Sequence, residues 1–167
     1  MPDVTEGASA ATILNAIIAA LNTVGNYSNT GGANVSATAT APTAVSFDSN
    51  DLQEGGLNHS VTTNISRFYV TTSGRYVFNA QLQAAHLTTG TAVMNAWFRK
   101  NGSIETPNGC AQISMNGRID TDVLELQCTV PLVAGDYMEL MTLTTVANEW
   151  QLKATNLSGT PPNVVPV

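Results

Sequence analysis

The sequence predicts an all-β protein, an antiparallel β-sandwich or jelly roll of about 8–10 strands that follows a short N-terminal helix and an extended arm. Three observations support this fold class. Apolar and polar residues alternate with a period of two along five stretches of the chain. Turn sequences such as Asn101-Gly102 and Asn116-Gly117 separate these stretches. The 22 Thr and 16 Asn among the 167 residues are uncharged polar types suited to strands and turns.

Residues 1–25 contain an acidic lead and a short amphipathic helix. Between Ser9 and Val24, apolar residues follow one another at intervals of four, three, four and three, which is the seam of a short coiled coil. Ser9 can cap the start and Gly25 the end. About four turns of helix are marginal alone in water, so the stripe must be buried on its own domain, in a bundle of copies or on another protein. The residues predicted to make this attachment are Leu14, Ile17, Leu21 and Val24.

Three further segments follow the helix. Residues 26–44 are rich in Asn, Gly, Ser, Thr and Ala and are predicted to form an extended linker arm. Residues 45–158 are predicted to form the β head. Residues 159–167 contain three prolines and are predicted to form a tail that cannot join the interior of a sheet. A linker between a coiled-coil seam and a β domain separates an attachment element from the head that it presents.

The alternating apolar residues of the head mark five predicted strands, each half-buried and with one polar face. These residues are Tyr76, Phe78, Ala80, Leu82 and Ala84; Ala92, Met94, Ala96 and Phe98; Ala111, Ile113 and Met115; Leu124, Leu126, Cys128 and Val130; and Trp150, Leu152 and Ala154.

Charge and hydropathy exclude two classes of partner. The chain carries 12 acidic and 6 basic side chains, and its basic residues are scattered, so no cationic stripe is available for nucleic acid. The longest apolar run, near residues 13–21, is shorter than the roughly 20 residues that span a bilayer. Asp3 and Glu6 stand where a signal peptide would carry positive charge. We therefore expect no nucleic acid, membrane anchor or secretion signal.

Catalytic chemistry has little support in the sequence. His59 and His86 lie outside any hydrolase-like motif, and Gly-x-Ser-x-Gly does not occur. We expect His59 to be exposed in a loop and His86 to lie at a strand end or an interface. The sequence therefore predicts that the protein is not an enzyme.

Metal and cofactor sites have equally little support. The pairs Asp48/Asp51 and Asp120/Asp122 are rich in oxygen ligands, but aspartates that cap turns are the simpler interpretation. Cys110 and Cys128 lack the spacing of a zinc site; they can pair or stay reduced, and free buried thiols are favoured. We expect no metal and no cofactor.

Three motifs occur in a fixed order along the head. Residues 68–78 form a strand, a turn at Ser73-Gly74 and a second strand; residues 98–102 end a strand in Lys-Asn-Gly; residues 130–140 form a hairpin around Gly-Asp. In this order they resemble the complement-type and tumour-necrosis-factor-like jelly-roll superfamily, over about residues 45–157. The resemblance identifies the residues of its core or trimer motif as Phe68, Gly74, Tyr76, Phe78, Phe98, Asn101, Gly102, Gly135, Asp136 and Leu140.

The resemblance implies a compact homotrimer around a three-fold axis. The animal members of this superfamily usually follow a signal peptide, a collagen-like stalk or a transmembrane segment, whereas this head follows a short helix and an arm. That arrangement looks most like the jelly rolls of bacteriophage particles. We therefore expect a virion structural protein, a trimeric capsid decoration or cement protein that binds the major capsid protein or another virion lattice through its N-terminal region. The alternative is the receptor-binding head of a phage fibre, which recognises a cell-surface glycan.

Two tryptophans are predicted to point away from the core. Trp97 and Trp150 are out of step with the apolar alternation, and Trp97 stands directly before the core residue Phe98. An outward aromatic residue indicates a trimer contact, a ligand-stacking surface or plain partial burial, and the sequence leaves the three open.

Overall fold

The computed structural model describes residues 12, 15, 23–29, 35–36, 39, 41–117 and 119–152. Within these residues the ordered elements are strands, which confirms the predicted all-β class. In chain order the strands are β1 (Val24–Ser28), β2 (Val35–Ser36), β3 (Thr43–Ala44), β4 (Ser49–Glu54), β5 (Leu57–His59), β6 (Phe68–Val70), β7 (Gly74–His86), β8 (Thr91–Lys100), β9 (Ile104–Asn116), β10 (Asp120–Leu132), β11 (Tyr137–Thr144) and β12 (Trp150–Leu152).

The strands form two sheets and a separate ribbon. One sheet has the order β5-β6-β11-β8-β9, with β3 also paired to β11, and the other has the order β10-β7-β12-β2. Strands β1 and β4 pair with each other as a two-stranded ribbon. All pairs are antiparallel, and β11 lies between β6 and β8, so the chain crosses between distant strands as in a jelly roll.

The core lies between the two sheets and is built by the predicted alternation. In β7 and β10, Leu82 stands opposite Leu124, and both side chains are buried. Full burial of one such side chain contributes about 1.5–3 kcal/mol. Further buried residues that the alternation predicted are Ala80, Ala84, Ala92, Met94, Ala96, Phe98, Ile113, Leu126, Cys128 and Leu152.

The predicted end of the helix belongs to a strand instead. Val24 and Gly25 lie in β1, opposite Glu54 and Gln53 of β4. The Tyr27 ring explains the difference. It packs against the core, with its centroid 4.7 Å from that of Phe68. This contact favours a strand, in which side chains alternate between two faces, over the helical spacing. Of the rest of the predicted helix, Thr12 and Asn15 have helical backbone, and the attachment residues Leu14, Ile17 and Leu21 lie outside the described residues.

Three short strands lie within the described parts of the predicted arm, and each is paired. Residues 26–28 belong to β1 and pair with β4, β2 pairs with β12, and β3 pairs with β11. These pairings satisfy backbone groups that a free linker would leave to water. The predicted tail, residues 159–167, lies outside the described residues, as do residues 153–158 at the end of the head.

Candidate interaction surfaces

The ten motif residues lie in the core and in the turns of the head. Phe68, Phe98 and Leu140 are buried, and Tyr76 and Phe78 are half-buried against them. Their position assigns these five residues to the packing between the sheets. The remaining motif residues open β7 or form the two turns that precede β9 and β11, and they are Gly74, Asn101, Gly102, Gly135 and Asp136.

Both turns have the geometry that their residues require. Asn101 and Gly102 have positive φ values of 51° and 72°, and Ser103 N–H donates to the Lys100 carbonyl, which makes the tight turn expected of Asn-Gly. Gly135 has φ 93° at the third position of the turn closed by the Asp136 N–H and the Val133 carbonyl. Glycine supplies the conformation that other residues rarely adopt.

Asp136 is the centre of a polar cluster between these turns. The Lys100 Nζ lies 2.6 Å from its Oδ2, the Asn101 amide donates to its Oδ1 at 2.7 Å, and the Val133 N–H donates to its Oδ2 at 2.8 Å. These three donors, with Lys100 the strongest, lower the pKa of Asp136 to about 2. The ionised Asp136 therefore links the end of β8 to the turn before β11. We call this set of contacts the Asp136 staple.

A second charged cluster lies on the outer face of the six-stranded sheet. Glu139 is 3% exposed and is the one charged residue of β11. Its Oε1 accepts from Arg67 Nε at 3.2 Å, and its Oε2 accepts from Arg99 Nη2 at 3.0 Å. The Arg67 guanidinium also lies 4.5 Å from the centroid of the Tyr137 ring. The sequence prediction missed this cluster, although a lone carboxylate inside the apolar run of β11 is a signal for it.

Trp97 lies on the same outer face, as predicted. The burial of β8 alternates, with Ala96 and Phe98 buried and Trp97 half-buried, so Trp97 points away from the core. It stands between Met141 of β11 and Cys110 of β9. In the described part of the chain, its buried Nε1 has no hydrogen-bond partner.

The prediction for Trp150 is wrong. Its side chain is 0% exposed, and its ring centroid lies 4.9 Å from that of His86. Trp150 and Leu152 share one face of β12 and both are buried, because residues two apart on a strand point the same way. Trp150 is therefore a core residue and offers no surface for a ligand.

The exposed face of the four-stranded sheet is poor in charge. We call it the β7–β10 face. Val77 is 57% exposed and Val123 is 49% exposed, and the Gln81 amide donates to Glu125 at 2.8 Å between them. The side chains that form this face are Arg75, Val77, Asn79, Gln81, Gln83, Val123, Glu125, Gln127 and Thr129. Its many amide and hydroxyl side chains and its two exposed valines make it suited to contact another protein surface.

An apolar cavity of about 580 Å³ opens beside the first half of β7. Burial raises the pKa of Tyr76, and that of Tyr27 to about 12, so both phenols stay neutral. Its described lining residues include no carboxylate, histidine or cysteine, and they include Tyr27, Phe47, Leu57, Phe68, Tyr76, Phe78, Phe98 and Leu140. Hydroxyl groups of Thr23, Thr72 and Ser73 also line it, at the end where β7 begins.

The histidines are both buried, which makes the prediction of an exposed His59 wrong. His59 ends β5 within a cluster of aromatic rings, and His86 ends β7, as predicted, with its Nε2 3.1 Å from Glu149. Glu149 also accepts from the Thr88 hydroxyl at 2.6 Å. The carboxylate therefore lies between the imidazole and the hydroxyl. That order differs from a nucleophile–base–carboxylate triad.

The remaining candidate ligands do not converge. Asp120 and Asp122 each accept from the N–H of the next residue, at 2.8 Å. Among the described residues, no group of three His, Cys, Asp or Glu side chains has a geometry that could hold a metal ion. Cys110 and Cys128 are both free; Cys110 is exposed, contrary to prediction, and burial raises the pKa of Cys128. Within the described ranges, no helix has the length and apolar character to cross a membrane.

Comparison with known proteins supports the fold. No protein-family model matches the sequence, and no curated protein matches it. Among solved structures, the chain is similar to the crystal structure of murine APRIL at pH 5.0, with a TM-score of 0.52 and 18% identity over 76% of this chain and 87% of that chain. APRIL is a tumour-necrosis-factor-family protein, so the similarity confirms a jelly-roll fold of that type.

Proposed function

We propose that this jelly roll is a non-enzymatic structural protein of a virus particle. In this proposal three copies assemble around a three-fold axis and decorate the capsid surface, where the N-terminal region binds the major capsid protein or another virion lattice. No cofactor takes part. Its action is mechanical, because a trimer that grips the lattice at three points gains avidity and holds neighbouring capsid subunits together.

The observation that carries this proposal is how the N-terminal segment joins the head. The Thr23 hydroxyl accepts a hydrogen bond from the Gly56 N–H at 3.0 Å, and Tyr27 packs its ring on Phe68 at 4.7 Å. The attachment stripe at Leu14, Ile17 and Leu21 therefore stands only a few residues before a point that is fixed to the core. A load on the stripe would pass directly into the head, as a clamp requires.

The composition of the head also supports an assembled surface. Only 11% of the residues are charged. Side chains such as Thr and Asn lose less conformational entropy on ordering than Lys, so a surface rich in them is easier to order against neighbouring subunits.

The test is co-sedimentation of the full chain with capsids of the virus whose genome carries this sequence. A variant with Leu14→Asp, Ile17→Asp and Leu21→Asp removes the apolar stripe. The matched control, Thr12→Asp with Asn15→Asp, adds charge at two exposed helical positions of the same segment. Burial of three aliphatic side chains is worth several kcal/mol, so we expect the triple variant to lose capsid binding at least 100-fold and the control to bind about as the wild type does.

Retention of binding by the triple variant would contradict the proposal, as would loss of binding by the control alone. The proposal also fails if the sequence belongs to no viral genome. Circular dichroism at 218 nm, which reports the β content, checks that the head stays folded in each variant.

A second candidate is the receptor-binding head of a phage fibre. The half-buried Trp97, with Arg99 two residues further along the outer face of β8, offers an aromatic surface beside a cation, and glycan sites use both. The test is a glycan array probed with the full chain. Binding that Trp97→Ala abolishes and Val77→Ala leaves unchanged would favour this function, and the absence of any glycan signal would exclude it.

A further inference from the structure

Two arginines on the outer face of the six-stranded sheet are held in place by one buried carboxylate. The Glu139 Oε1 accepts from Arg67 Nε at 3.2 Å and from the Ser66 hydroxyl at 3.4 Å. Its Oε2 accepts from Arg99 Nε at 3.3 Å and from Arg99 Nη2 at 3.0 Å. Both oxygens of Glu139 are therefore engaged, and the positions of the two guanidinium groups are set before any ligand arrives.

Arg67 keeps hydrogen-bond donors that point beyond Glu139. The contact with Glu139 uses Nε, so the terminal Nη nitrogens lie on the far side of the guanidinium. Hydrogen bonds to the Tyr69 hydroxyl and to Glu139 raise the pKa of Arg67, so the group stays charged. The Arg67 side chain is 34% exposed. An oxyanion can therefore reach Arg67 from the solvent without displacing Glu139.

Aromatic rings stand beside this guanidinium. The Arg67 Cζ lies 4.5 Å from the centroid of the Tyr137 ring. Tyr69 stands opposite Tyr137 in the pairing of β6 with β11, and their ring centroids are 5.3 Å apart. Both tyrosines are half-buried, and the exposed Asn58 stands opposite Tyr69 in β5. Half-buried tyrosines combine an apolar ring face with a polar hydroxyl, and Asn58 adds an amide that can bind hydroxyl groups.

The acidic residues near this face favour Arg67 over Arg99 as the centre of a site. Glu105 stands opposite Arg99 in the pairing of β8 with β9, on the side away from Arg67. Asp136 precedes Tyr137, and the Lys100 Nζ lies 2.6 Å from it. On the other side of β6, the strand β5 contains no acidic residue. An anion at Arg67 therefore meets less repulsion than one at Arg99.

We propose that Arg67, Tyr69 and Tyr137 form a binding site for a sugar that carries a carboxylate. The planar carboxylate accepts from the Nη groups of Arg67, and the apolar face of the sugar ring packs on the tyrosines. A guanidinium that already shares its charge with Glu139 matches a singly charged group better than a doubly charged phosphate. The site involves neither the N-terminal segment nor Trp97, so it stands or falls independently of both candidate functions.

Nuclear magnetic resonance titration of the full chain with methyl β-glucuronide tests the site. Methyl β-glucoside is the matched ligand, because it differs only in having a hydroxymethyl group in place of the carboxylate. Acetate supplies the carboxylate without the ring. We expect the glucuronide to shift the side-chain signals of Arg67, Tyr69 and Tyr137, and to bind about tenfold more tightly than either of the other two compounds. Equal affinity for the glucoside or for acetate would overturn the proposal, as would shifts confined to another part of the chain.

The variant Arg67→Lys keeps the positive charge beside Glu139 and removes the planar fork. We expect it to bind the glucuronide at least about fivefold more weakly than the wild type. The control is Arg75→Gln, which removes an exposed arginine of β7 and is expected to leave the affinity unchanged. Unchanged binding by Arg67→Lys would contradict the proposal, and equal weakening by Arg75→Gln would show that the sugar responds to overall charge.

A sulfated sugar presents similar chemistry, and methyl β-glucoside 6-sulfate separates the two. Tighter binding of the sulfate than of the glucuronide would reject a carboxylate site. If Arg67→Lys fails to fold, the comparison of the four compounds on the wild type still decides, because it gives both the preferred group and the residues whose signals move.

Discussion

Asn101 and Asp136 join the two turns at one end of the head. The Asn101 Nδ2 donates to Asp136 Oδ1 at 2.7 Å, and the Asn101 Oδ1 accepts from the Tyr137 N–H at 2.9 Å. One amide side chain therefore ties the β8–β9 turn to the β10–β11 turn, 35 residues further along the chain. Two motifs that look like ordinary hairpin chemistry in the sequence are thus parts of a single structure.

The Asp136 staple predicts a pH-dependent contribution to stability. Its pKa is about 2 in the folded chain and 3.8 without the cluster, because the Lys100 ammonium, the Asn101 amide and the Val133 N–H stabilise the carboxylate. A lowered folded pKa means that the contribution is fully present above the ordinary value and is lost as the pH falls toward about 2. We therefore expect Asp136→Asn to destabilise the chain at neutral pH and to differ progressively less from the wild type below pH 3.8.

Urea unfolding of both proteins across this pH range measures the difference. The control is Asp51→Asn, which alters an exposed carboxylate that accepts from the Ser49 hydroxyl. A gap between wild type and Asp136→Asn that stays constant from neutral pH down to about pH 2 would refute the staple.

Gly102 and Gly117 form a matched pair for separating backbone strain from crowding. Both have positive φ, 72° and 69°. A Cβ at Gly102 would lie 2.8 Å from the Tyr137 hydroxyl oxygen, whereas one at Gly117 would meet no described atom within 4 Å. We expect Gly117→Ala to cost about 1 kcal/mol for the left-handed conformation alone and Gly102→Ala about 1 kcal/mol more. Thermal unfolding of the two variants checks the order, and equal losses would show that the Tyr137 contact relaxes freely.

Replacing Glu139 is expected to destabilise the chain more than replacing an exposed glutamate. Its carboxylate accepts from both Arg67 and Arg99 and is almost completely buried. Glu139→Gln removes the charge and leaves two guanidinium groups facing one amide. Because both arginines reach solvent, we expect a loss of about 1–3 kcal/mol in the free energy of unfolding and not the full cost of a buried ion.

Chemical unfolding of Glu139→Gln beside Glu54→Gln, at an exposed position of β4, measures this effect. The control is expected to change the free energy of unfolding by less than about 0.5 kcal/mol. Similar values for the two variants would mean that the arginines find other partners at no cost.

The sequence predicted what depends on local pattern and missed what depends on tertiary packing. Alternation placed Leu82 and Leu126 in the core, because the period of a strand is fixed by its backbone. The predicted helix failed at Val24, which lies in a strand. Its neighbour Tyr27 packs on an aromatic cluster that is distant in sequence. The prediction for His59 failed for the same reason, since the acceptors at Asn50 and Ile65 meet the ring only once the strands have paired.

The same distinction applies to the candidate surfaces. The outward direction of Trp97 followed from the buried Phe98 beside it. For Trp150, the sequence showed the alternation with Leu152. It did not show that β12 lies between β7 and β2. The partners of Glu139 could not be read from the sequence, because Arg67, just before β6, and Arg99 of β8 are 72 and 40 residues away along the chain.

The β7–β10 face yields the last prediction, which concerns the proposed trimer. Val77 and Val123 are exposed on this face, and Glu125 is the carboxylate between them. If a second copy covers the face, Val77→Glu with Val123→Glu places further negative charges in a region from which water is excluded, beside an existing one. We expect light scattering to give three times the chain mass of 17.5 kDa for the wild type and the mass of one chain for the double variant, with association weakened by about 100-fold or more. Ile104→Glu with Val133→Glu is the matched control, because these residues are equally exposed but belong to the start of β9 and to the β10–β11 turn. A double variant that keeps the wild-type mass would show that the copies meet through another surface, and a control that dissociates equally would show that added charge anywhere is enough.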